Sequence, residues 1–186
     1  PTIDSRFESH LRIISSNSER FERISINSNL VSLNKKRTEL LLESDVNAYT
    51  FSINASNKDT YKKMMGRDLF ELVVKNLNTF LKLLKKRKKK VGVDVQLVES
   101  DKNNIEELKS FIPLADNLNV NFFFRKMYSK PAIKKSTELV KISHERAERR
   151  YPCWDIYIKL YVDVEGNFYP CTIGNDSYRE KSAFCL

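Results

Sequence analysis

The sequence lacks the features of a secreted or membrane-spanning protein. No apolar run approaches the roughly 20 residues that a transmembrane helix needs, and the first residues do not form a signal peptide. The chain has only three cysteines, Cys153, Cys171 and Cys185, and all lie in its last fifth. A disulfide-stabilised secreted domain spreads an even number of cysteines through its length. The sequence therefore predicts a cytoplasmic protein with no membrane partner, and its clustered cysteines favour metal or redox chemistry.

Positive charge exceeds negative charge, with 33 Lys and Arg against 24 Asp and Glu and a net charge of +9. Much of the excess lies in one run, Lys82–Lys90 (KLLKKRKKK). On a helix such a run usually forms a solvated carboxyl-terminal end, where cations also complement the helix dipole. A nucleic-acid interface would add interleaved aromatic or glycine residues. We therefore do not expect a nucleic-acid partner, and a basic α/β module that binds nucleic acid is kept as the alternative.

Strand-like and helix-like patterns alternate through the first two-thirds of the chain. The predicted strands are Arg23–Asn29, Asn47–Ala55, Val91–Val98 and Asn119–Arg125, and the predicted helices are Lys35–Glu43, Lys58–Met65, a long one from Asp68 and one after Asn104. This alternation predicts an α/β fold with parallel strands and right-handed crossovers. Both an open sheet and part of a (β/α) barrel fit the pattern.

Particular residues mark the predicted helix ends. Asn57 is a good N-cap for the second helix and Gly66 ends it, while Asn104 and Glu107 have capping-box spacing at the fourth. The long helix presents one apolar face made of Leu69, Leu72, Val73, Leu77, Phe80, Leu81 and Leu84. These signals predict helices that pack on a sheet.

The pattern changes after residue 130. Residues 131–150 are strongly charged and predict a helical linker. Asp155–Val164 alternates apolar and polar residues, which predicts a half-buried strand, and Glu165–Gly166 predicts a turn into a return strand at Asn167–Tyr169. We therefore expect three regions: an α/β domain over 1–130, a linker over 131–150, and a small cysteine-bearing β-hairpin domain over 151–186.

Polar residues end the second predicted strand. Ser52 and Asn54 lie near its carboxyl end, and ligands bind at the carboxyl ends of parallel strands in α/β proteins. Gln96 on the third strand and Arg67 after Gly66 are further candidates. Each of these side chains has a structural alternative, because polar residues at strand ends also satisfy turns and buried amides.

The order of these segments resembles radical S-adenosylmethionine (AdoMet) enzymes of the SPASM subgroup. Asn27–Leu30 corresponds to the family's Thr-Asn-Gly-like turn, and Ser52–Ala55 to its Ser-Ile-Asp-Gly-like strand end. Tyr61 and Met65–Arg67 stand where the family has a helical Tyr and an Arg-Gly element, and Phe70–Leu77 is similar to its Phe-x-x-Val-x-x-Asn-Ile pattern.

The cysteines give a sharper match. SPASM domains begin with Cys, nine to fifteen residues, Gly, four residues and Cys; here twelve residues separate Cys153 from Gly166, and four separate Gly166 from Cys171. The resemblance implies a partial (β/α) barrel followed by the start of an iron–sulfur domain. It implies an auxiliary [4Fe–4S] cluster held by Cys153, Cys171 and Cys185, and AdoMet contacts from Asn29, Ser52 and Asn54. No catalytic side chain is assigned.

The chain lacks several motifs of the family. The Cys-x-x-x-Cys-x-x-Cys motif of the AdoMet-cleaving cluster and the Gly-Gly-Glu element are absent, and Leu30 stands where the family has Gly. The resemblance therefore implies the carboxyl-terminal portion of a larger enzyme, one that starts a radical modification of a peptide, protein or small molecule with electrons from a reductant protein. A small zinc-stabilised interaction domain is a second alternative, although three cysteines are one ligand short of a structural zinc site.

Overall fold

The computed structural model describes residues 5–126, 157, 160–162 and 168–169. The chain divides into two units, Pro1–Lys126 and Met127–Leu186. All three cysteines, the linker predicted over 131–150 and the turn predicted at Glu165–Gly166 lie outside the described residues.

The first unit is an α/β fold, as the sequence predicts. Its strands are β1 (Ser25–Ser28), β2 (Ala48–Asn54), β3 (Gly92–Val98) and β4 (Asn121–Arg125). Its helices are α1 (Phe7–Ser15), α2 (Lys35–Glu43), α3 (Lys58–Met65), α4 (Phe70–Arg87) and α5 (Ile105–Ser110), with short 3₁₀ turns at Ser18–Arg20 and Asp116–Leu118. Helix α1 was not predicted, because it buries only two residues, Phe7 and Leu11. None of the described helices has the length and apolar character to cross a membrane.

The four strands form one parallel sheet in the order β1-β2-β3-β4. Each strand is therefore hydrogen-bonded to the strand that follows it in the chain. Right-handed crossovers between successive neighbours place the intervening helices on one face of such a sheet. This sequential order differs from doubly wound sheets, in which the strand order reverses.

The two faces of the sheet have different chemistry. On one face Tyr49, Phe51 and Ile53 of β2 are fully buried, and Phe80 of α4 packs edge-on against the first two rings at 4.9 Å. The opposite face is mainly polar; it carries Asn27, Thr50, Ser52, Asp94, Gln96 and Asn121, which are half-buried or exposed, together with the apolar residues Ala48, Val98 and Phe123. Parallel sheets are usually apolar on both faces because helices cover both. A polar face is therefore the feature of this sheet that calls for a functional explanation.

Most predicted helix ends are confirmed. Asn57 accepts a hydrogen bond from the amide of Thr60 at 2.9 Å, and Gly66 ends α3 with a left-handed φ of 68°. Asn104 caps α5, but the carboxylate of Glu107 accepts hydrogen bonds from residues at the start of α3 instead of completing a capping box. The predicted apolar face of α4 is buried except at Leu69, which is half-buried and precedes the helix, and at Leu72, which is 37% exposed.

The second unit is described only around one pair of strands. β5 (Tyr161–Val162) and β6 (Phe168–Tyr169) pair antiparallel, with Val162 opposite Phe168. The predicted strand over 155–164 is too long, because Tyr157 lies in helical backbone. The predicted burial is wrong at Leu160 and Val162, which are 66% and 56% exposed. Two short paired strands have no apolar layer of their own, so an alternating pattern does not by itself bury one face.

Candidate site at the carboxyl edge of the sheet

The end of β1 is a tight turn with an unusual backbone conformation. Leu30 has a φ of 66°, in the left-handed region that glycine favours, although its side chain is fully buried. Its amide donates to the hydroxyl of Ser28 at 3.1 Å, and its carbonyl oxygen accepts from the amide of Asn76 on α4 at 2.8 Å. A left-handed leucine costs roughly 1–2 kcal/mol, so these contacts hold a strained turn in place.

The end of β2 repeats this arrangement one strand away. Asn54 has a φ of 69°, and the pairing of β2 with β3 shifts register between Ser52 and Asn54. The carbonyl oxygen of Asn54 accepts from the amide of Asn103 at 2.9 Å. The side-chain amide of Asn54 lies 3.7 Å from the sulfur of Met65, a weak contact at the exposed edge.

Asn103 connects three segments at this edge. Besides Asn54, its amide donates to the carbonyl oxygen of Val98 at the end of β3, at 2.7 Å. Its own oxygen accepts from the amide of Ser56 at 3.0 Å. The residue is only 8% exposed, and buried amides of this kind are retained when their hydrogen bonds are satisfied. One side chain thus holds the ends of β2 and β3 and the loop before α3 together.

A second set of bonds ties the loop before α3 to α5. The carboxylate of Glu107 accepts from the hydroxyl of Ser56 at 2.6 Å and from the amide of Asn57 at 3.1 Å. Asn57 also caps α3, so the loop is bonded on both sides. Hydrogen bonds therefore join the loop before α3 both to α3 and to α5.

Polar side chains continue from this edge across the polar face of the sheet. The register aligns Ser52, Gln96 and Phe123 in one row and Thr50, Asp94 and Asn121 in the next. Gln96 donates to the hydroxyl oxygen of Ser52 at 3.0 Å, and Asn121 donates to the carboxylate of Asp94 at 3.0 Å. Since the Ser52 oxygen is the acceptor in its bond, its hydroxyl hydrogen is left to donate to a further acceptor.

The structure brings some predicted site residues together. Ser52 and Asn54 lie at the end of β2, Gln96 lies beside Ser52, and Asn29 follows β1, the strand adjacent to β2. The side-chain oxygen of exposed Asn29 accepts from the backbone amide of Val31 at 3.3 Å, so this residue also stabilises the turn. Arg67 lies beyond the end of α3 and is exposed.

Two asparagines that hold this edge, Asn76 and Asn103, were not predicted as site residues from the sequence. Asn76 lies in the apolar face of α4 between Val73 and Leu77 and is 9% exposed. An amide at a position where helical periodicity demands an apolar side chain was the available signal. Asn103 gave no comparable signal, because it lies in a polar loop.

A groove of about 940 Å³ is lined by Asn57 and Glu107 of this edge and by residues of α3 and α4, and it contains none of the three predicted AdoMet contacts. Phe70 and Phe111 form part of its floor, 5.4 Å apart and edge-on. Lys58 at its rim pairs with Glu71 at 3.0 Å, and that hydrogen bond raises the pKa of Lys58. Its charges are mixed and partly paired, so the groove does not select a ligand of one sign.

The basic run lies at the opposite end of the sheet from this edge. Helix α4 ends at Arg87, shortly before β3 begins, so Lys82–Lys90 belongs to the amino edge. Arg87 pairs with Glu43 at 2.8 Å, and Lys89 donates to the carbonyl oxygens of Leu42 and Ser44 at the end of α2. Desolvation by burial lowers the pKa of Lys89. Part of the run therefore stabilises the fold.

No protein-family model matches the chain, and no curated protein sequence matches it significantly. Within residues 5–126 and the short segments described beyond them, no group of three or more His, Cys, Asp or Glu side chains could hold a metal ion. The three cysteines lie outside those residues.

Proposed function

We propose that this chain is the carboxyl-terminal portion of a radical AdoMet enzyme of the SPASM type. In this proposal the carboxyl edge of β1 and β2 contacts AdoMet, and the cysteine-bearing region holds an auxiliary iron–sulfur cluster. The observation that carries the proposal is the polar face of a sequentially ordered parallel sheet, which leads to Ser52 and Asn54 at its carboxyl edge.

The sheet supports the barrel part of the proposal. Parallel strands in sequential order with helices on one side are the construction of a (β/α) barrel, whose binding residues lie at the carboxyl ends of the strands. The polar face, with its rows containing Ser52 and Asp94, would then line the interior of a partial barrel. A doubly wound sheet would bury this face under helices and fill it with apolar residues.

The residues at the edge fit the chemistry of AdoMet. The ligand presents a carboxylate, an amino group and ribose hydroxyls, all of which need hydrogen-bonding partners. Ser52 has a hydroxyl hydrogen free to donate, because its oxygen accepts from Gln96. The side chain of Asn54 lies at the exposed edge and carries both a donor and an acceptor.

The backbone conformation of Leu30 also agrees with the proposed family. The family that the chain resembles has a glycine at this position. Leu30 adopts the left-handed conformation that glycine favours. The substitution by leucine therefore leaves the turn conformation in place, with Ser28 and Asn76 bonding its amide and carbonyl.

For the cluster, Cys153, Cys171 and Cys185 supply thiolates, the ligand type that iron–sulfur clusters use. Reductive cleavage of AdoMet supplies a radical that removes a hydrogen from the substrate in this family. The 186 residues lack the Cys-x-x-x-Cys-x-x-Cys motif for that step, so the proposal assigns it to a part of the enzyme outside them. The chain's own residues would orient AdoMet and exclude water from the polar face.

The remaining partners follow from the same proposal. The substrate is a peptide, a protein or a small molecule, and a cytoplasmic reductant protein supplies the electrons. Because the AdoMet-cleaving cluster is not part of this chain, we expect no AdoMet cleavage by the 186-residue protein alone.

Calorimetric titration of the 186-residue chain with AdoMet tests the proposed site. We expect measurable binding that Ser52→Ala weakens by roughly 2–10-fold, the effect of one hydrogen bond. The control is Ser25→Ala, which removes a hydroxyl from the other end of the neighbouring strand β1. Binding that Ser52→Ala and Ser25→Ala leave equally strong, or no binding to the unchanged chain, would contradict the proposed site.

A further inference from the structure

Two buried asparagines hold the carboxyl edge in the same way. Asn76 donates to the carbonyl oxygen of Leu30 at 2.8 Å, and Asn103 donates to that of Asn54 at 2.9 Å. Each acceptor is a non-glycine residue with a left-handed φ, of 66° and 69° respectively. Each acceptor also lies at or just beyond the end of a strand, on two neighbouring strands, β1 and β2.

The position of Asn76 on α4 indicates that its bond to Leu30 holds the turn after β1. The buried positions around it on α4, Val73, Leu77, Phe80 and Leu81, are apolar and pack into the core. An apolar residue at position 76 would satisfy the same helix face, but the buried carbonyl of Leu30 would then keep only the backbone amide of Leu33, at 3.1 Å, as a donor. The asparagine is thus matched to the turn and not only to the helix.

Asn103 acts on more of the edge than Asn76 does. Its bonds to Asn54 and Val98 fix the ends of β2 and β3, and its bond to Ser56 fixes the loop between β2 and α3. Asn54 stands at the register shift between these strands. The direction in which the Asn54 side chain leaves the sheet therefore depends on the amide of Asn103.

We propose that Asn76 and Asn103 are positioning residues of the carboxyl-edge site. By holding Leu30 and Asn54 in left-handed conformations, they orient the side chains of Asn29 and Asn54 toward a common ligand. This inference rests on the proposed function for the identity of that ligand, AdoMet, but the conformational part stands on the geometry alone.

The test combines a conformational readout with a binding measurement. Asn103→Asp keeps the oxygen that accepts from Ser56 and removes the donors to Asn54 and Val98. The amide proton and α-proton of one residue are closer at positive φ than at negative φ, so NMR reports the conformation of Asn54 as a strong cross-peak between them. We expect Asn103→Asp to weaken that cross-peak and to reduce AdoMet affinity at least fivefold at a temperature where the variant is folded. Asn76→Asp should weaken the cross-peak of Leu30.

The matched control is Asn78→Asp. Asn78 lies on α4, two residues after Asn76, and donates to the carbonyl oxygen of Phe111 at 2.8 Å at an exposed site. The Asn78→Asp variant should leave the cross-peaks of Leu30 and Asn54 and the AdoMet affinity unchanged. If Asn103→Asp does not fold, Asn103→Ser repeats the test, since its shorter side chain no longer reaches all three partners.

The outcomes separate this inference from the proposed function. A loss of thermal stability in Asn103→Asp with an unchanged Asn54 cross-peak would overturn the positioning role. If the unchanged chain binds no AdoMet, the proposed function fails, and the cross-peaks alone decide whether the asparagines hold the two turns.

Discussion

The side-chain amide of Asn76 lies 2.8 Å from the carbonyl oxygen of Leu30, a residue 46 positions earlier in the chain. This bond joins the middle of α4 to the turn after β1, and it is buried. Replacing Asn76 with Ala should lower the free energy of unfolding by about 1–1.5 kcal/mol, because the buried carbonyl loses one of its two donors and keeps only the backbone amide of Leu33. Urea unfolding measures this value.

Asn78 is the control for that substitution. It also lies on α4 and also donates to a backbone carbonyl at 2.8 Å, but its bond is exposed, so water replaces the lost donor. Asn78→Ala should therefore cost less than about 1 kcal/mol. Equal losses in the two variants would show that burial of the Leu30 carbonyl does not set the cost.

The phenol of Tyr49 links acid–base behaviour to stability. Its ring is fully buried, and its hydroxyl lies 3.1 Å from the carbonyl oxygens of Leu41 and Val46. Burial raises the pKa of Tyr49 well above its ordinary value. The folded protein therefore keeps this proton at a pH where the unfolded chain loses it. Stability from this group is complete below about pH 10 and falls as pH rises further, by up to ~1.4 kcal/mol per pH unit.

Urea unfolding across alkaline pH checks this prediction. Tyr49→Phe should cost about 1 kcal/mol at neutral pH, since it removes a buried hydrogen bond, and should reduce the loss of stability above about pH 10. Some alkaline loss should remain, because burial also raises the pKa of Tyr61. The same alkaline slope in Tyr49→Phe and the unchanged protein would refute the assignment.

Lys89 separates the structural part of the basic run from its solvated part. Its ammonium group donates to the carbonyl oxygens of Leu42 and Ser44, whereas Lys90 next to it is exposed. Lys89→Met should lower the free energy of unfolding by about 1 kcal/mol, and Lys90→Met should have little effect. Both variants remove one positive charge, so similar effects would indicate that net charge, not the helix-end contact, is responsible.

The helix bounds were predictable because their signals are local. Lys35–Glu43 and Lys58–Met65 match the structure at both ends, and capping by Asn57 and termination at Gly66 depend on residues within one helical turn. The α/β class and the four strands were predictable from period and alternation for the same reason.

The site could be predicted only in part. Strand ends identified Ser52 and Asn54, but the partners that shape the edge are distant in sequence: Asn103 bonds to Asn54 across 49 positions and Glu107 to Ser56 across 51. The local sequence pattern favoured a capping box for Glu107, but its carboxylate instead accepts hydrogen bonds from Ser56 and Asn57. The burial predicted at Leu160 and Val162 failed because alternation specifies two faces but not what covers either one.

The cysteines give a prediction that is independent of the sheet. After anaerobic reconstitution with iron and sulfide, the chain should bind iron and absorb in the visible range, and Cys153→Ala or Cys171→Ala should lose most of that iron, because thiolates are the cluster ligands. Zinc added alone should not replace it. Zinc binding that equals iron binding and is lost in both variants would favour the zinc-stabilised domain, and iron binding that survives both substitutions would contradict a cluster held by these cysteines.

The most direct test of the central claim is a titration of the isotopically labelled chain with AdoMet, followed residue by residue through its amide NMR signals. The account predicts shifts concentrated at Asn29, Ser52, Asn54 and their neighbours on the polar face, with Lys82–Lys90 unaffected. Shifts confined to the basic run, or no shifts at any AdoMet concentration, would contradict an AdoMet site at the carboxyl edge of this sheet.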